Sequence, residues 1–106
     1  MSEVYKALAD PTRRRILQML REREMTAGEI AGEFDLAKPT LSGHFAVLRE
    51  AGLVTPVKAA TTITYHLNVT VLEEALMALM DVFRLSDGSA RATATRPAQP
   101  KTGGSR

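Results

Sequence analysis

Residues Thr26 to Val54 read TAGEIAGEFDLAKPTLSGHFAVLREAGLV, and this stretch decides the fold. Thr26 is followed three residues later by Glu29, a pairing in which the hydroxyl accepts from a first-turn N–H while the carboxylate reaches back to the cap. Ile30, Ala31 and Phe34 then share one face at helical spacing. Asp35 and Leu36 leave that helix, and Leu36 is expected to plug the angle between it and the next. Pro39, with its fixed φ and missing N–H, suits the first turn of a second helix. There Leu41, Phe45 and Leu48 recur at i, i+4 and i+7 and define a buried stripe, so Thr40, Ser42, Gly43 and His44 point mostly outward. Gly52 supplies the left-handed residue that ends this helix after Ala51. Two short helices joined by a tight turn, the second exposing small and polar side chains at its start, match what a helix needs to slide into the major groove of DNA. An ordinary antiparallel helix pair with a polar face on its second member is the competing reading of this stretch.

The flanking sequence favours the first reading. Leu53 to Lys58 and Thr62 to Leu67 are β-rich runs with a short Ala-Ala-Thr connection, which predicts a hairpin directly after the helix pair. A helix-turn-helix followed at once by a hairpin is the winged-helix arrangement. Upstream, Glu3 to Ala9 reads as a short helix; Asp10 caps the next, Pro11 opens it, and Ile16, Leu17 and Leu20 form its core stripe. A last helix is expected from about Val71 to Leu85, with Thr70 and Glu73 as its capping box. From Ser86 onward there is no Ile, Leu, Val, Met or Phe, so that segment cannot bury enough surface to offset its ordering entropy and is expected to be disordered. The domain reading is 1–86 for DNA binding and dimerisation and 87–106 for a basic tail.

In the last helix, Val71, Leu72, Ala75, Leu76, Leu79, Met80 and Phe83 cover one broad face. Met77, Ala78, Val82 and Leu85 cover much of the remainder. A helix apolar nearly all round is buried on several sides, and a domain this small has too little protein to bury it alone. The expected solution is a homodimer through the terminal helices, with Tyr5, Leu8, Leu72, Leu76, Leu79, Met80 and Phe83 in the seam. The alternative is a central core helix in a monomer.

Three stretches carry a family resemblance. Ala7-Leu8-Ala9-Asp10-Pro11-Thr12-Arg13-Arg14-Arg15-Ile16-Leu17 resembles the opening of the ArsR-type winged-helix repressors. Lys38-Pro39-Thr40-Leu41-Ser42-Gly43-His44, followed by Val47-Leu48-Arg49-Glu50-Ala51-Gly52-Leu53-Val54, resembles their recognition helix and its exit, and Tyr65-His66-Leu67-Asn68 the end of their wing. Met25 to Ala31 and the run from Asn68 to Leu72 are similar to the metal-independent branch that includes the repressor of the sporulation-delaying-protein operon. The resemblance implies a homodimeric transcriptional repressor on an inverted repeat in promoter DNA. Family members usually carry Ser at position 37 and often His at 43, where this chain has Ala37 and Gly43; their wings are Arg-rich, whereas this tip is Ala59-Ala60-Thr61-Thr62 with only Lys58 nearby. The candidate DNA contacts are Lys38, Pro39, Thr40, Ser42, Gly43, His44 and Arg49 of the recognition helix, and Lys58 of the wing. Lys38 is assigned to phosphate, and Thr40, Ser42 and His44 to base edges.

Composition bounds the remaining possibilities. The chain has 106 residues and a net charge of +2, but residues 1–86 hold ten cations against eleven anions; residues 87–106, with four cations and one anion, supply the positive balance. Bulk charge is therefore no argument for DNA binding, which rests on local geometry. The lack of cysteine removes disulfides and thiolate metal sites, and the two histidines, His44 and His66, are isolated in sequence from suitable co-ligands, so no metal or cofactor is expected. No run approaches membrane-spanning length and the N-terminus is polar, which suggests a cytoplasmic protein without membrane insertion. No nucleophile elbow, phosphate-binding Gly loop or metal-hydrolase helix is present, and Ser42 and His44, two apart on a helix, do not face each other, so an enzyme is not expected. Arg13, Arg14 and Arg15 must point in different directions at helical spacing, with at least one solvated or ion-paired. The reading is a mainly α winged helix-turn-helix with five helices and a two-stranded wing, acting on double-stranded DNA as a homodimeric repressor. A protein partner controlling release is a guess by family analogy. A winged-helix protein-interaction module without DNA binding, or a metal-responsive repressor, is the alternative.

Overall fold

The computed structural model describes residues 2–85. Its elements run α1 (Ser2–Leu8), α2 (Pro11–Glu22), β1 (Met25–Thr26), α3 (Ala27–Ala31), α4 (Lys38–Glu50), β2 (Val54–Ala59), β3 (Thr62–Leu67) and α5 (Val69–Val82). The chain divides after Leu72 into two units, 1–72 and 73–106. The tail expected from residue 87 lies outside the described residues.

Local chemistry sets most boundaries in the first unit. The Asp10 carboxylate accepts from Arg13 N–H at 3.0 Å, with Pro11 just inside, as a helix start requires. The capping box of α3 is closed in both directions: Glu29 N donates to Thr26 Oγ1 at 3.0 Å, and Thr26 N donates to Glu29 Oε1 at 2.9 Å. That backbone hydrogen bond is the main reason the Glu29 carboxyl titrates below its ordinary range. Gly52, at φ 77°, ends α4 with Gly52 N donating to Arg49 O and Leu53 N to Leu48 O, the paired bonds of a Schellman motif.

The core gathers Val4 and Ala7 of α1, Ile16, Leu17, Met19 and Leu20 of α2, Ile30 of α3, Leu41, Phe45 and Leu48 of α4, with Leu53, Val54 and Tyr65 from the sheet side, all buried. The stripes expected on α2 and α4 are therefore the faces that pack.

Five expectations need correction. The hairpin belongs to a three-stranded antiparallel sheet of order β1-β3-β2, because Met25 and Thr26 pair with Tyr65 and Thr64. Leu36 does not plug the helix angle; it stands 40% exposed. The first helix of the pair stops at Ala31, so Phe34 lies in the connecting turn rather than on its face. The last helix begins earlier, with Asn68 rather than Thr70 as its cap: Val71 N donates to Asn68 Oδ1 at 3.4 Å. It also ends at Val82, before Leu85, where Arg84 turns left-handed at φ 57° and Leu85 N donates back to Met80 O. Pro56 sits in β2, an edge strand of this sheet, where a missing donor is tolerated.

In the second unit α5 continues from Glu73, with Ala75 buried. Leu76, Met77, Leu79, Met80, Val82 and Phe83 stand between 39% and 72% exposed.

Candidate nucleic-acid interface

α4 is held from two sides within residues 1–72. Its buried stripe packs inward, and the Phe45 ring stacks on Tyr65 of β3 with centroids 4.6 Å apart and planes 22° apart. Aromatic stacking in this range adds about 0.5–1.5 kcal/mol beyond area burial and fixes the helix against the root of the wing. β1 pairs with the same strand, so the start of the helix pair and the wing share one sheet.

On the other face Lys38, Pro39, Thr40, Ser42, Gly43 and Arg49 are exposed. His44 is not: its side chain is 16% exposed and turns toward the α1–α2 corner. There Arg13 Nη1 lies 3.1 Å from His44 Nδ1, and Asp10 Oδ2 lies 3.9 Å from the same nitrogen. The Asp10 carboxyl is held below its ordinary range, chiefly by the Arg13 backbone N–H, with His44 and the Arg13 side chain adding to the effect and partial burial opposing it. His66 pairs differently, with Nδ1 3.0 Å from Glu24 Oε2, which ties β3 to the segment before β1. The three consecutive arginines separate as helical spacing requires. Arg13 points to His44, Arg14 Nη1 donates to Leu8 O at 2.8 Å, and Arg15 is exposed.

The N-terminus of α4 has no side-chain cap, since Ala37 occupies the cap position with nothing to offer. A Cβ added at Gly43 would meet nothing within 4 Å, so packing does not demand glycine there. A mid-helix glycine costs about 0.5–1 kcal/mol relative to alanine. Gly43→Ala is therefore expected to stabilise the protein by about that amount, read as a shift in the urea midpoint at unchanged slope. The wing is a hairpin whose tip turns through Ala60 at φ 56°, a conformation costing a non-glycine residue about 1–2 kcal/mol. Lys58 is exposed near that tip. Among the described residues no group of three His, Asp or Glu side chains is assembled that could hold a metal ion, and no helix is long and apolar enough to cross a membrane.

Residues 10–55, which hold α2, both helices of the pair and the entry into the wing, match the model of the bacterial regulatory protein arsR family. Over 87 residues the chain is 38% identical to the transcriptional repressor SdpR of Bacillus subtilis, covering 82% of this chain and 97% of that protein. The chain belongs to the ArsR family. Solved structures agree at the level of the fold. A possible transcriptional regulator for arsenical resistance superposes with TM-score 0.67 at 38% identity, covering 86% of this chain and 95% of that one. An ArsR-like transcriptional regulator from Rhodococcus sp. RHA1 gives TM-score 0.70 at 26% identity, covering 86% of each chain. Both the family and these relatives are transcriptional regulators rather than enzymes.

Sequence reasoning missed β1, the Phe45–Tyr65 stack and the Arg13–His44 contact. The capping role of Asp10 was visible in Asp10-Pro11, but the partner of Arg13 lies 31 residues away and no local pattern marks it.

Proposed function

We propose that this ArsR-family chain is a sequence-specific DNA-binding repressor that works in the cytoplasm as a homodimer on an inverted repeat in promoter DNA. The observation carrying this reading is the exposed face of α4, where Thr40, Ser42 and Gly43 stand in solvent above the buried Leu41, Phe45 and Leu48. Two such helices in a symmetric dimer reach successive major grooves, about 34–36 Å apart. The uncapped first turn of α4 supports the same reading: a phosphate oxygen can accept from N–H groups that Ala37 leaves unserved. Lys38 beside it adds a cation for the same backbone, Arg49 and Lys58 stand exposed for flanking phosphates, and Pro39 shapes the turn that approaches them. Gly43 lets the helix backbone come close to the bases, so Gly43→Ala gains stability while losing affinity.

The dimer seam is assigned to the apolar residues Leu76, Leu79, Met80 and Phe83, exposed in the single chain, and, from the first unit, to Tyr5, Leu8 and Leu72, each half-buried. Release from DNA is assigned to a protein partner or to falling repressor concentration. The lightly charged wing tip favours a second reading, a winged-helix module that binds protein instead of DNA. A gel shift on the protein's own promoter region separates the two. Lys38→Ala is expected to weaken all duplexes alike and to lower the salt slope by about one phosphate. Ser42→Ala is expected to cost about 1–3 kcal/mol on the operator and much less on random DNA. Operator binding indifferent to every one of these substitutions would show that α4 is not the reader.

A further inference from the structure

Two consecutive arginines of α2 close the end of α1. Arg13 Nε donates to Ala7 O at 2.9 Å and Arg13 Nη2 to Lys6 O at 3.0 Å, while Arg14 Nη1 donates to Leu8 O at 2.8 Å. The last carbonyls of a helix lack their usual intrahelical partners, and a cation beside them also suits the helix dipole. With seven residues α1 is too short to persist as a helix alone. Burial of Val4 and Ala7 holds it to the core, but burial has no direction, whereas a guanidinium fork does.

Arg13 reaches a third element as well. Its Nη1 lies 3.1 Å from His44 Nδ1 on α4, and since a guanidinium can only donate, the imidazole accepts there. The His44 side chain, 16% exposed, is turned from the outer face of α4 toward this corner, so it serves the geometry of the protein itself. The Arg13 backbone N–H is held by the Asp10 carboxylate, which fixes the residue in the first turn of α2. One side chain therefore joins α1 to α4. The helix α1 carries Tyr5 and Leu8 of the assigned dimer seam, and α4 carries the exposed reading face.

We infer that Arg13 is a positioning residue for operator recognition: by bonding α1 and His44 of α4 at once, it fixes the seam against the reading helix and so sets the half-site spacing that the dimer accepts. Half-site spacing is a geometric property of a symmetric dimer, and each base pair added between half-sites moves them apart by about 3.4 Å and turns them by about 35°. A dimer whose α1 is locked to α4 meets such a change only by deforming the DNA or losing contacts. With the joint cut, α4 stays on the core through Leu41, Phe45 and Leu48, while α1 is free to settle at another angle against it. This inference rests on the dimeric DNA-binding reading above and adds a residue that touches no base.

The full chain is first used to select a duplex from a randomised library, and that duplex, with two versions carrying one base pair more or fewer at its centre, is the probe set. Fluorescence anisotropy at one salt concentration is expected to show the wild-type chain losing about tenfold or more on either altered duplex. Arg13→Met is expected to be weaker than wild type on the selected duplex and equal to it on the altered ones, so that its preference falls to about threefold or less. Arg13→Lys keeps the charge but not the fork and gives the same flattened profile. His44→Ala flattens it too, the double variant is no flatter than either single one, and His44→Asn, which keeps an acceptor near the place of Nδ1, restores the preference. A loss of equal size on all three duplexes means a lost fold, dimer or direct contact and overturns the inference. If Arg13→Met does not fold, His44→Ala against His44→Asn decides by the same criterion. If no duplex is enriched, or the enriched one holds no inverted repeat, the dimeric DNA-binding reading fails and takes this inference with it. A wild-type chain that binds an inverted repeat at all three spacings alike removes the inference alone.

Discussion

Leu76→Glu, or Leu79→Glu, is expected to give a chain that sediments as a monomer and has lost operator affinity by two orders of magnitude or more. Leu76 is 45% and Leu79 40% exposed in the single chain, with Met80 and Phe83 open beside them. A carboxylate at such a place costs little in an isolated chain. In a seam between two copies it must be stripped of water without a partner, at a cost of several kcal/mol. The effect on DNA is larger than the effect on assembly. One α4 reads one half-site, while a dimer reads both for a single loss of translational and rotational freedom. Specific sites are commonly bound about 10³-fold or more tighter than random sequence, and most of that margin disappears when one half-site remains. Analytical ultracentrifugation with fluorescence anisotropy on the operator checks both parts. A wild-type chain that is monomeric at micromolar concentration and still binds tightly would remove the assigned seam.

Leu48→Ala carries the second large effect, on stability. Leu48 has no exposed surface, and the helix that carries it, α4, packs on α1, α2 and β2. Deleting a buried isobutyl group in a close-packed interior loses its transfer energy and leaves a cavity, together about 2–5 kcal/mol. For a domain this small that is a large share of the whole. Leu36→Ala is the internal control: at 40% exposure Leu36 is expected to cost well under 1 kcal/mol, although sequence reasoning placed it in the helix angle. Urea titrations at one fixed protein concentration compare the two, since a dimer's stability depends on concentration. Equal midpoints for Leu36→Ala and Leu48→Ala would mean that the packing around α4 is not as described.

The difference between these two leucines shows where pattern reading works. Leu48 belongs to a stripe with Leu41 and Phe45, and three positions at i, i+4 and i+7 jointly specify one side of a helix. Leu36 stands in a turn, where no period constrains the side chain. The same contrast separates the capping residues. Thr26 with Glu29 and Asp10 with Pro11 are local pairs, and both form as expected. At the last helix Thr70 with Glu73 offered a pair of equal quality, yet Asn68 takes the position, because its N–H is bonded to Leu53 O at 2.9 Å and the chain turns there. A contact from another part of the fold moved the boundary by two residues.

Local physical chemistry written in the chain was enough for the five helices, the hairpin, the outward face of Thr40, Ser42 and Gly43, and membership in the ArsR family through α2 to the wing. Each of these depends on residues within one or two helical turns of each other, or on a motif read as a unit. Folding in three dimensions settled the rest: β1 joining the wing, Phe45 lying on Tyr65, and His44 turning from solvent to Arg13. The physical reason is the same in each case. Strand pairing, ring stacking and a shared imidazole nitrogen join residues 20 to 40 positions apart, and a one-dimensional period cannot report a distance across the fold.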